Sequence, residues 1–228
     1  MYHSIADSEA HFNSVAPAEF ELQMAYLAEK PIPVISLTSL VMRLKNGSPL
    51  GGAVVITFDD GFRNNYTVAL PILKKYGFPA TVFVTTDLIG QTDERGFEHC
   101  SPDDMKAMQG SGLIDIQPHT KTHPKLSKLS SGDARTEILE SKLAVSTILN
   151  KECKLFAYPY GNFSDDTKRV VQELEFDAAV SVREGTVGLH ADLFALPRNS
   201  IDRSTTLAQF GGKVSRAIDW YHALKVWK

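Results

Sequence analysis

The chain has 228 residues, of which 43% are hydrophobic and 22% charged, with a formal net charge of −3. This composition is ordinary for a globular protein, suits a single domain with a sizeable core, and lacks the basic excess of nucleic-acid-binding proteins. Two cysteines are too few for a disulfide framework, and no apolar run is long enough to predict a membrane-spanning helix.

Short apolar runs alternate with amphipathic stretches along the chain. The apolar runs predict strands at residues 53–58, 80–85, 113–117, 154–158 and 177–181. The amphipathic stretches predict helices at about residues 65–76, 102–110, 133–149 and 165–174. Ser101 and Ser164 are predicted to cap two of these helices, and Gly77 to end another.

Strands that alternate with helices predict βαβ units, and therefore an α/β fold with parallel strands, as in a (β/α) barrel. The carboxyl ends of the strands share one face of such a barrel, and that face carries the active site. Asp59, His119 and Tyr160 each follow a predicted strand. We therefore expect these three residues to converge in the folded chain.

Two neighbouring carboxylates, Asp59 and Asp60, follow the strand at 53–58. Successive strand residues face opposite ways, but a turn at Gly61 can direct both side chains into one site. Like charges this close repel each other, so one carboxyl holds a proton unless a cation neutralises the pair. The alternative is a solvated turn, because Asp-Asp-Gly is common in turns.

His119 and His123 lie four residues apart, between Pro118 and Pro124. The two prolines favour a loop or a single turn over a helix. A loop can still bring both imidazoles to one ion, and two histidines with one carboxylate and an open position form a known catalytic zinc site. The alternative is a pair of surface histidines.

A third group of residues ends in Tyr158-Pro159-Tyr160-Gly161. Aromatic faces can stack on sugar rings. Backbone N–H groups around Tyr160 and Gly161 can stabilise a developing oxyanion. The alternative is a core strand that meets a proline turn.

The Thr-Phe-Asp-Asp-Gly, His-Thr-x-x-His and aromatic-Pro-Tyr-Gly motifs stand in the order seen in polysaccharide deacetylases, carbohydrate esterase family 4, and the chain resembles that family. Tyr2-His3 and Leu196-Pro197-Arg198 resemble two further family elements, so the resemblance covers roughly residues 1–201. The third motif looks most like the subgroup that acts on poly-N-acetylglucosamine and related exopolysaccharides.

The resemblance implies a metal-dependent hydrolase that removes N-acetyl groups from an N-acetylated sugar polymer or glycoconjugate and releases acetate. It implies that Asp59 is the general base and that Asp60, His119 and His123 bind the metal, usually zinc, with cobalt or nickel as substitutes. It also implies that Thr120 braces the histidine loop, and that the fold is a distorted or incomplete (β/α) barrel.

The chain departs from the family pattern at two positions that bear on catalysis. Many members have an arginine beside the catalytic base where this chain has Ala157, and we expect Arg198 to supply that guanidinium from another strand end. Many members also have a late histidine that acts as general acid, and residues 199–202, which directly follow Arg198 here, include no histidine. His3 is the candidate to protonate the leaving amine in its place, although a lone histidine is more often structural.

Two other functions fit the same motifs. One is a metal hydrolase of the same fold that acts on another amide or ester, such as an O-acetyl group or an imide, since a fold does not fix a reaction. The other is a catalytically weak glycan-binding protein, which the incomplete acid–base set keeps open.

Residues 1–209 are predicted to form the deacetylase-like domain, and 210–228 a basic amphipathic segment. This segment is expected to pack on the barrel as a helix, with contact to a membrane surface as the alternative. The first 20 residues carry no signal-peptide pattern, so we expect a cytoplasmic protein, or an extracytoplasmic one if the chain is trimmed.

Overall fold

The computed structural model describes residues 1–7 and 12–215. In this part of the chain the strands are β1 (Ser4–Ile5), β2 (Ser14–Val15), β3 (Ile56–Phe58), β4 (Ala80–Val84), β5 (Ile114–Pro118), β6 (Leu155–Ala157) and β7 (Ala178–Val180). The helices are α1 (Pro17–Glu29), α2 (Leu37–Lys45), α3 (Leu70–Tyr76), α4 (Pro102–Gly110), α5 (Ser131–Leu149), α6 (Asp165–Glu173) and α7 (Leu207–Val214).

The described strands pair in parallel, in three separate groups. The first group is the pair β1 and β2. The second is a three-stranded sheet in the order β3-β4-β5, and the third is the pair β6 and β7. Helices separate most of the successive strands, as parallel pairing requires. The prediction of an incomplete (β/α) barrel with parallel strands is confirmed.

Irregular backbone and one side chain bridge the gaps between these groups. Tyr2 donates its N–H to Thr57 O (2.8 Å) and accepts the N–H of Asp59 (3.0 Å), which joins the N-terminal segment to β3. Gln117 Oε1 accepts the N–H groups of residues 154–155 at 3.1 Å each, which joins β5 to β6. These backbone N–H groups would bond to a neighbouring strand in a continuous sheet, and they find other acceptors here.

The segment 193–201 completes the ring beside β7. Ser181 donates its N–H to Leu196 O (2.8 Å), and Ile201 donates its N–H to Met1 O (2.9 Å). The segment therefore runs between β7 and the N-terminal segment in place of a further strand. It also carries Arg198 to the carboxyl end of β3.

An aromatic cluster fixes β3 against α1. The ring of Tyr2 lies 5.1 Å from the ring of Phe20 and 5.5 Å from that of Phe58, measured between centroids. All three side chains are buried. Aromatic side chains bury more apolar area than any others, so this cluster anchors the strand that leads into Asp59.

Several predicted element boundaries are confirmed in detail. Ser101 and Asp104 form a reciprocal capping box at the start of α4, and Ser164 accepts a backbone N–H at the start of α6. Gly77 ends α3 in the left-handed conformation, with φ 68°. Each predicted strand is present, one to three residues shorter than expected or displaced by one residue.

The helix predicted at 65–76 is divided into two parts. Residues 65–69 form a wide π turn, and α3 begins only at Leu70. Pro71 has no N–H to donate, and its ring collides with the preceding turn of a regular helix. The wider turn ahead of it removes that conflict.

Helix α7, the last helix in the described residues, spans the predicted boundary at residue 210. Phe210 is buried, and its ring packs edge-on against Tyr26 of α1 at 6.0 Å. Most of the predicted amphipathic segment, 216–228, lies outside the described residues, so its contact with a membrane surface stays a prediction. No helix in the described ranges is both long and apolar enough to cross a membrane.

Candidate active site

The site residues predicted from the three motifs lie together where strands end. Asp59 and Asp60 directly follow β3, His119 and His123 follow β5, and Tyr160 follows β6. The parallel strands bring their carboxyl ends to one face, which is why residues a hundred positions apart meet there.

Asp60, His119 and His123 present one possible ligand atom each, all within 4.8 Å of one another. Asp60 Oδ1 lies 3.6 Å from His119 Nε2 and 3.3 Å from His123 Nε2. That oxygen is buried and has no hydrogen-bond partner. A buried carboxylate oxygen without a donor is costly unless a cation supplies the missing charge. The donor set, two imidazoles and one carboxylate, is one that zinc accepts.

His119 is held in the tautomer that a metal ligand needs. Its Nδ1 lies 2.7 Å from Ala157 O, and since a carbonyl can only accept, Nδ1 carries the proton. Nε2 is left with a lone pair on the side of Asp60. Burial lowers the pKa of His119 to about 4, so the ring is neutral at neutral pH. A neutral imidazole whose second nitrogen is fixed by a carbonyl is a favourable ligand.

Burial by itself would raise the pKa of Asp60, but the adjacent His123 imidazole, together with His3 and His119, holds that pKa below its usual value. The carboxylate is therefore ionised over the whole neutral range. His3 lies near enough to act on Asp59 in the same direction. The Asp60 carboxylate and the two imidazole nitrogens that it faces are all groups that can bind a metal cation.

Asp59 forms a buried, two-pronged ion pair with Arg198. Arg198 donates from NH1 to Oδ1 at 2.7 Å and from NH2 to Oδ2 at 2.6 Å. The Asp59 side chain is 3% exposed and that of Arg198 7%. Burial would raise the pKa of Asp59, but the guanidinium, together with His119 and His3, outweighs that effect and the pKa falls below 3.8. The structure thus places a guanidinium on Asp59 from the position that the sequence analysis suggested.

Two further oxygen atoms hold Arg198 in place. Its Nε donates to Ser181 O at 2.8 Å, and NH1 also donates to Thr57 Oγ1 at 3.1 Å. The guanidinium plane is therefore fixed at both ends, and the Asp59 carboxylate is fixed with it.

Left-handed backbone is concentrated at this site. Of the six non-glycine residues with positive φ in the described chain, four lie here: Asp60 (72°), Thr120 (67°), His123 (64°) and Tyr160 (56°). Such residues cost on the order of 1–3 kcal/mol each, and they persist only where the surroundings impose them. The turns after β3, β5 and β6 are therefore shaped for the site and not by local preference.

Two glycines allow these turns to approach their neighbours. A Cβ on Gly61 would lie 2.7 Å from Val84 Cγ1, and one on Gly161 would lie 2.6 Å from the backbone nitrogen of Val182. Both glycines also have positive φ, 73° and 62°. A side chain at either position would force the turn out of the site.

The two tyrosines of the third motif have different environments. Tyr160 is 57% exposed, and its ring lies 4.6 Å from that of His123 between centroids. Tyr158 is buried, stacks on Phe163 at 4.5 Å and donates its hydroxyl to Phe194 O at 3.1 Å. Pro159 is buried as well. Only the Tyr160 ring is therefore presented at the surface by this motif.

Thr120 lies where the family resemblance implied a bracing hydroxyl. Its Oγ1 accepts the N–H of His123 at 3.1 Å, and the side chain is buried. This hydrogen bond joins the two left-handed residues of the loop 119–123 to each other.

Sequence reasoning missed two residues that contact this site. His99 is buried, its Nδ1–H donates to the carbonyl of Asp60 at 3.1 Å, and its ring stacks on Phe62 at 4.9 Å. Glu137, on α5, accepts hydrogen bonds from the loop between His119 and His123. Neither residue belongs to a motif, and both reach the site only through tertiary contacts, so the sequence carried no signal for them.

Comparison with known proteins gives consistent matches. Residues 46–179, more than half of the chain, match the family model described as polysaccharide deacetylase. The poly-beta-1,6-N-acetyl-D-glucosamine N-deacetylase of Staphylococcus aureus is 28% identical over 206 residues, which cover 87% of this chain and 71% of the relative.

Two solved structures share the fold along nearly the whole chain. A Streptococcus pyogenes deacetylase, PplD, in complex with acetate superposes with a TM-score of 0.85 at 28% identity, covering 94% of this chain and 96% of the other. IcaB from Ammonifex degensii superposes with a TM-score of 0.82 at 24% identity, covering 93% and 94%. The second likeness is one of fold alone.

Proposed function

This chain belongs to the polysaccharide deacetylase family, and from that premise we propose that it is a metal-dependent hydrolase of N-acetylated sugar polymers or glycoconjugates. The reaction cleaves the amide bond of an N-acetyl group with water and yields acetate and a free amine. The observation that carries the proposal is the Asp60, His119 and His123 ligand group beside a carboxylate, Asp59, that Arg198 holds in place.

Asp60, His119 and His123 would hold a divalent cation, zinc foremost, with cobalt or nickel as substitutes. The unpartnered Asp60 Oδ1 and the fixed tautomer of His119 support this assignment. A cation bound there supplies Lewis-acid polarisation of the acetyl carbonyl and lowers the pKa of water.

Asp59 acts as general base in this proposal and takes the proton of the attacking water. Arg198 keeps the carboxylate ionised and orients both of its oxygen atoms. Because Asp59 is buried, its charge is little screened by solvent, and its position relative to the water is fixed before the substrate binds.

The backbone of Tyr160 donates to the carbonyl oxygen as negative charge develops on it. Tyr160 lies in the turn Pro159–Gly161 with a positive φ of 56°, and the N–H groups that close this turn are those of Gly161 (2.8 Å) and Asn162 (2.9 Å). His3 is the candidate for protonating the leaving amine, since it lies near both Asp59 and Asp60.

The proposed substrate class is a polymer of N-acetylglucosamine or a related glycan. The Staphylococcus aureus relative, a poly-beta-1,6-N-acetyl-D-glucosamine N-deacetylase, supports this class. The exposed Tyr160 ring beside His123 supports it as well, because an aromatic face suits the apolar side of a sugar ring. The proposal includes no nucleic-acid partner.

The proposal is tested by acetate release from N-acetylglucosamine oligomers, with zinc-loaded and chelator-treated protein side by side. We expect acetate and free amine in equal amounts from the loaded protein, and neither after chelation. Release from an O-acetylated glycan with none from the N-acetylated oligomers would replace the proposed reaction by ester hydrolysis. Binding of the oligomers without release from either substrate would identify a glycan-binding protein.

A further inference from the structure

The loop 119–123 carries both histidines of the proposed metal site, and its backbone is strained. Thr120 and His123 are both left-handed, although neither is a glycine. His119 is anchored by β5 and by Ala157, but His123 stands at the far end of the loop. The position of His123 therefore depends on whatever holds residues 120–122.

One carboxylate holds the middle of this loop. Glu137 Oε2 accepts the backbone N–H groups of Lys121 (3.0 Å) and Thr122 (2.9 Å), and Oε1 accepts the Thr122 hydroxyl (2.8 Å). Glu137 lies on α5, 15 and 16 residues away along the chain. Three donors converge on one side chain of a long, rigid helix.

The opposite side of the same loop is held by backbone atoms. Thr120 O accepts the N–H of Thr86 at 3.1 Å, and Lys121 O accepts the N–H of Asp87 at 3.0 Å. Residues 120–122 are thus held between the turn after β4 and α5. Glu137 supplies the side of this arrangement that depends on a single side chain. Hydrogen bonds to a carboxylate are stronger than those to a neutral acceptor.

We propose that Glu137 is a positioning residue for the metal site, which holds residues 120–122 in the strained conformation that places His123 against Asp60. It touches neither substrate nor metal and acts through the loop backbone. The inference rests on the proposed function, since it assumes that His123 is a metal ligand.

The loop offers a matched control on the same helix. Glu140, one turn further along α5, pairs with Lys121 Nζ at 2.7 Å, and its side chain is 47% exposed. It contacts the same loop but only through a side chain, and exposed ion pairs contribute little. Glu140→Ala therefore removes a charge beside the loop without removing a backbone contact.

The test is zinc affinity of the full chain, measured by competition with a chelator, for the parent, Glu137→Ala, Glu137→Gln and Glu140→Ala. Loss of an outer partner of a ligand commonly weakens metal binding by about 10–100-fold, and we expect Glu137→Ala to fall in that range. Glu137→Gln keeps an oxygen for the two amides and should recover most of the affinity. Glu140→Ala should bind zinc as the parent does.

The visible absorption of bound Co²⁺ gives a second measurement, because it reports coordination geometry and not fold. We expect a changed spectrum for Glu137→Ala and the parent spectrum for Glu137→Gln and Glu140→Ala. Should Glu137→Ala fail to fold, Glu137→Asp decides, because it keeps the charge but draws the carboxylate back by one methylene from the amides of Lys121 and Thr122. We expect its zinc affinity to fall at least several-fold below that of Glu140→Ala, and an affinity equal to that control would overturn the inference.

Parent-like zinc affinity and Co²⁺ spectrum in folded Glu137→Ala would overturn the inference, and so would equal losses in Glu137→Ala and Glu140→Ala. Neither measurement uses a substrate. A parent that binds zinc but releases no acetate would therefore contradict the proposed reaction and leave the role of Glu137 decided by the variants.

Discussion

At the residue scale, the contact between Arg198 and Asp59 dominates the electrostatics of the site. Two buried charges gain from each other only when geometry and further hydrogen bonds are good, and here Thr57 and Ser181 supply those bonds. Removing one partner leaves the other charge buried and unpaired. The pair therefore sets both the ionisation of the proposed base and part of the stability of the fold.

Arg198→Ala is expected to destabilise the metal-free protein at neutral pH by about 3–5 kcal/mol, as for other broken buried pairs. The pKa of Asp59 is lowered in the folded parent, so the pair stabilises fully above the carboxyl's usual value of 3.8, and this contribution is lost as pH falls through the lowered pKa. In the variant, burial without the guanidinium raises that pKa. The carboxyl then takes up a proton at a higher pH than in the parent, and part of the loss is recovered.

Urea unfolding of parent and variant at neutral and at mildly acidic pH measures this difference. Arg135→Ala is the matched control, because Arg135 pairs with Glu173 at 2.9 Å on the surface, where both side chains are about half exposed. The free energy of unfolding of the control variant should fall by no more than about 1 kcal/mol at either pH. A loss for Arg198→Ala that equals the control's, or that does not shrink on acidification, would contradict this account.

The sequence identified the acidic pair, the two histidines and Arg198 because motif and family resemblance point to them directly. It could not identify Glu137 or His99, since each acts by a hydrogen bond to backbone atoms that tertiary structure alone brings near. The sequence also could not show which of Tyr158 and Tyr160 is exposed. Both rings follow the same strand, and only packing decides that the first is buried and the second exposed.

At the element scale, the site is made by the turns that follow β3, β5 and β6. These turns hold left-handed residues that their sequences do not favour, so the packing around them supplies the constraint. Pattern reasoning placed the strands and the capped helices well, because apolar runs and caps are local signals. It did not identify α1 or α2, and the π turn ahead of Pro71 arises from a conflict inside a predicted helix.

Gly161→Ala is expected to lower stability by more than about 2 kcal/mol, because left-handed backbone with a side chain costs about 1–2 kcal/mol before any collision is counted. The added Cβ would also lie 2.5 Å from Val182 Cγ2. The turn that presents Tyr160 should shift, so acetate release should fall as well. Thermal and urea unfolding, with an activity assay on the folded variant, measure both effects.

Gly110→Ala serves as the comparison for this prediction. Gly110 ends α4, and a Cβ there meets nothing within 4 Å. Since alanine is the better helix former, we expect no loss of stability and a gain of up to about 1 kcal/mol. Equal effects of the two substitutions would show that the turn after β6 is not constrained as described.

At the scale of the whole molecule, the barrel is completed by irregular segments and not by a continuous ladder. The N-terminal segment, the Gln117 amide and residues 193–201 each replace strand pairing. Alternating strands and helices predicted the parallel class of the fold, but not these closures, which depend on long-range contacts. The closures matter to the site because one of them carries Arg198 to Asp59.

Zinc should stabilise the folded chain, since the ligand group is assembled only there. At a free concentration about 100 times the dissociation constant, binding contributes about 2.7 kcal/mol. For a chain of this size that corresponds to a rise in Tm of about 5–11 °C. His123→Ala should lose most of this rise. An equal rise in that variant would show that zinc binds elsewhere.

The central claim, that Asp59 is the base beside a separate metal-ligand group, is tested most directly by Asp59→Asn. Asparagine keeps the shape of the side chain but cannot take a proton, so acetate release from N-acetylglucosamine oligomers should fall by about 10²–10⁴-fold. Metal content, measured on the same samples, should stay equal to that of the parent. Loss of the metal together with activity would place Asp59 among the ligands, and unchanged acetate release with the metal retained would contradict its role as the base.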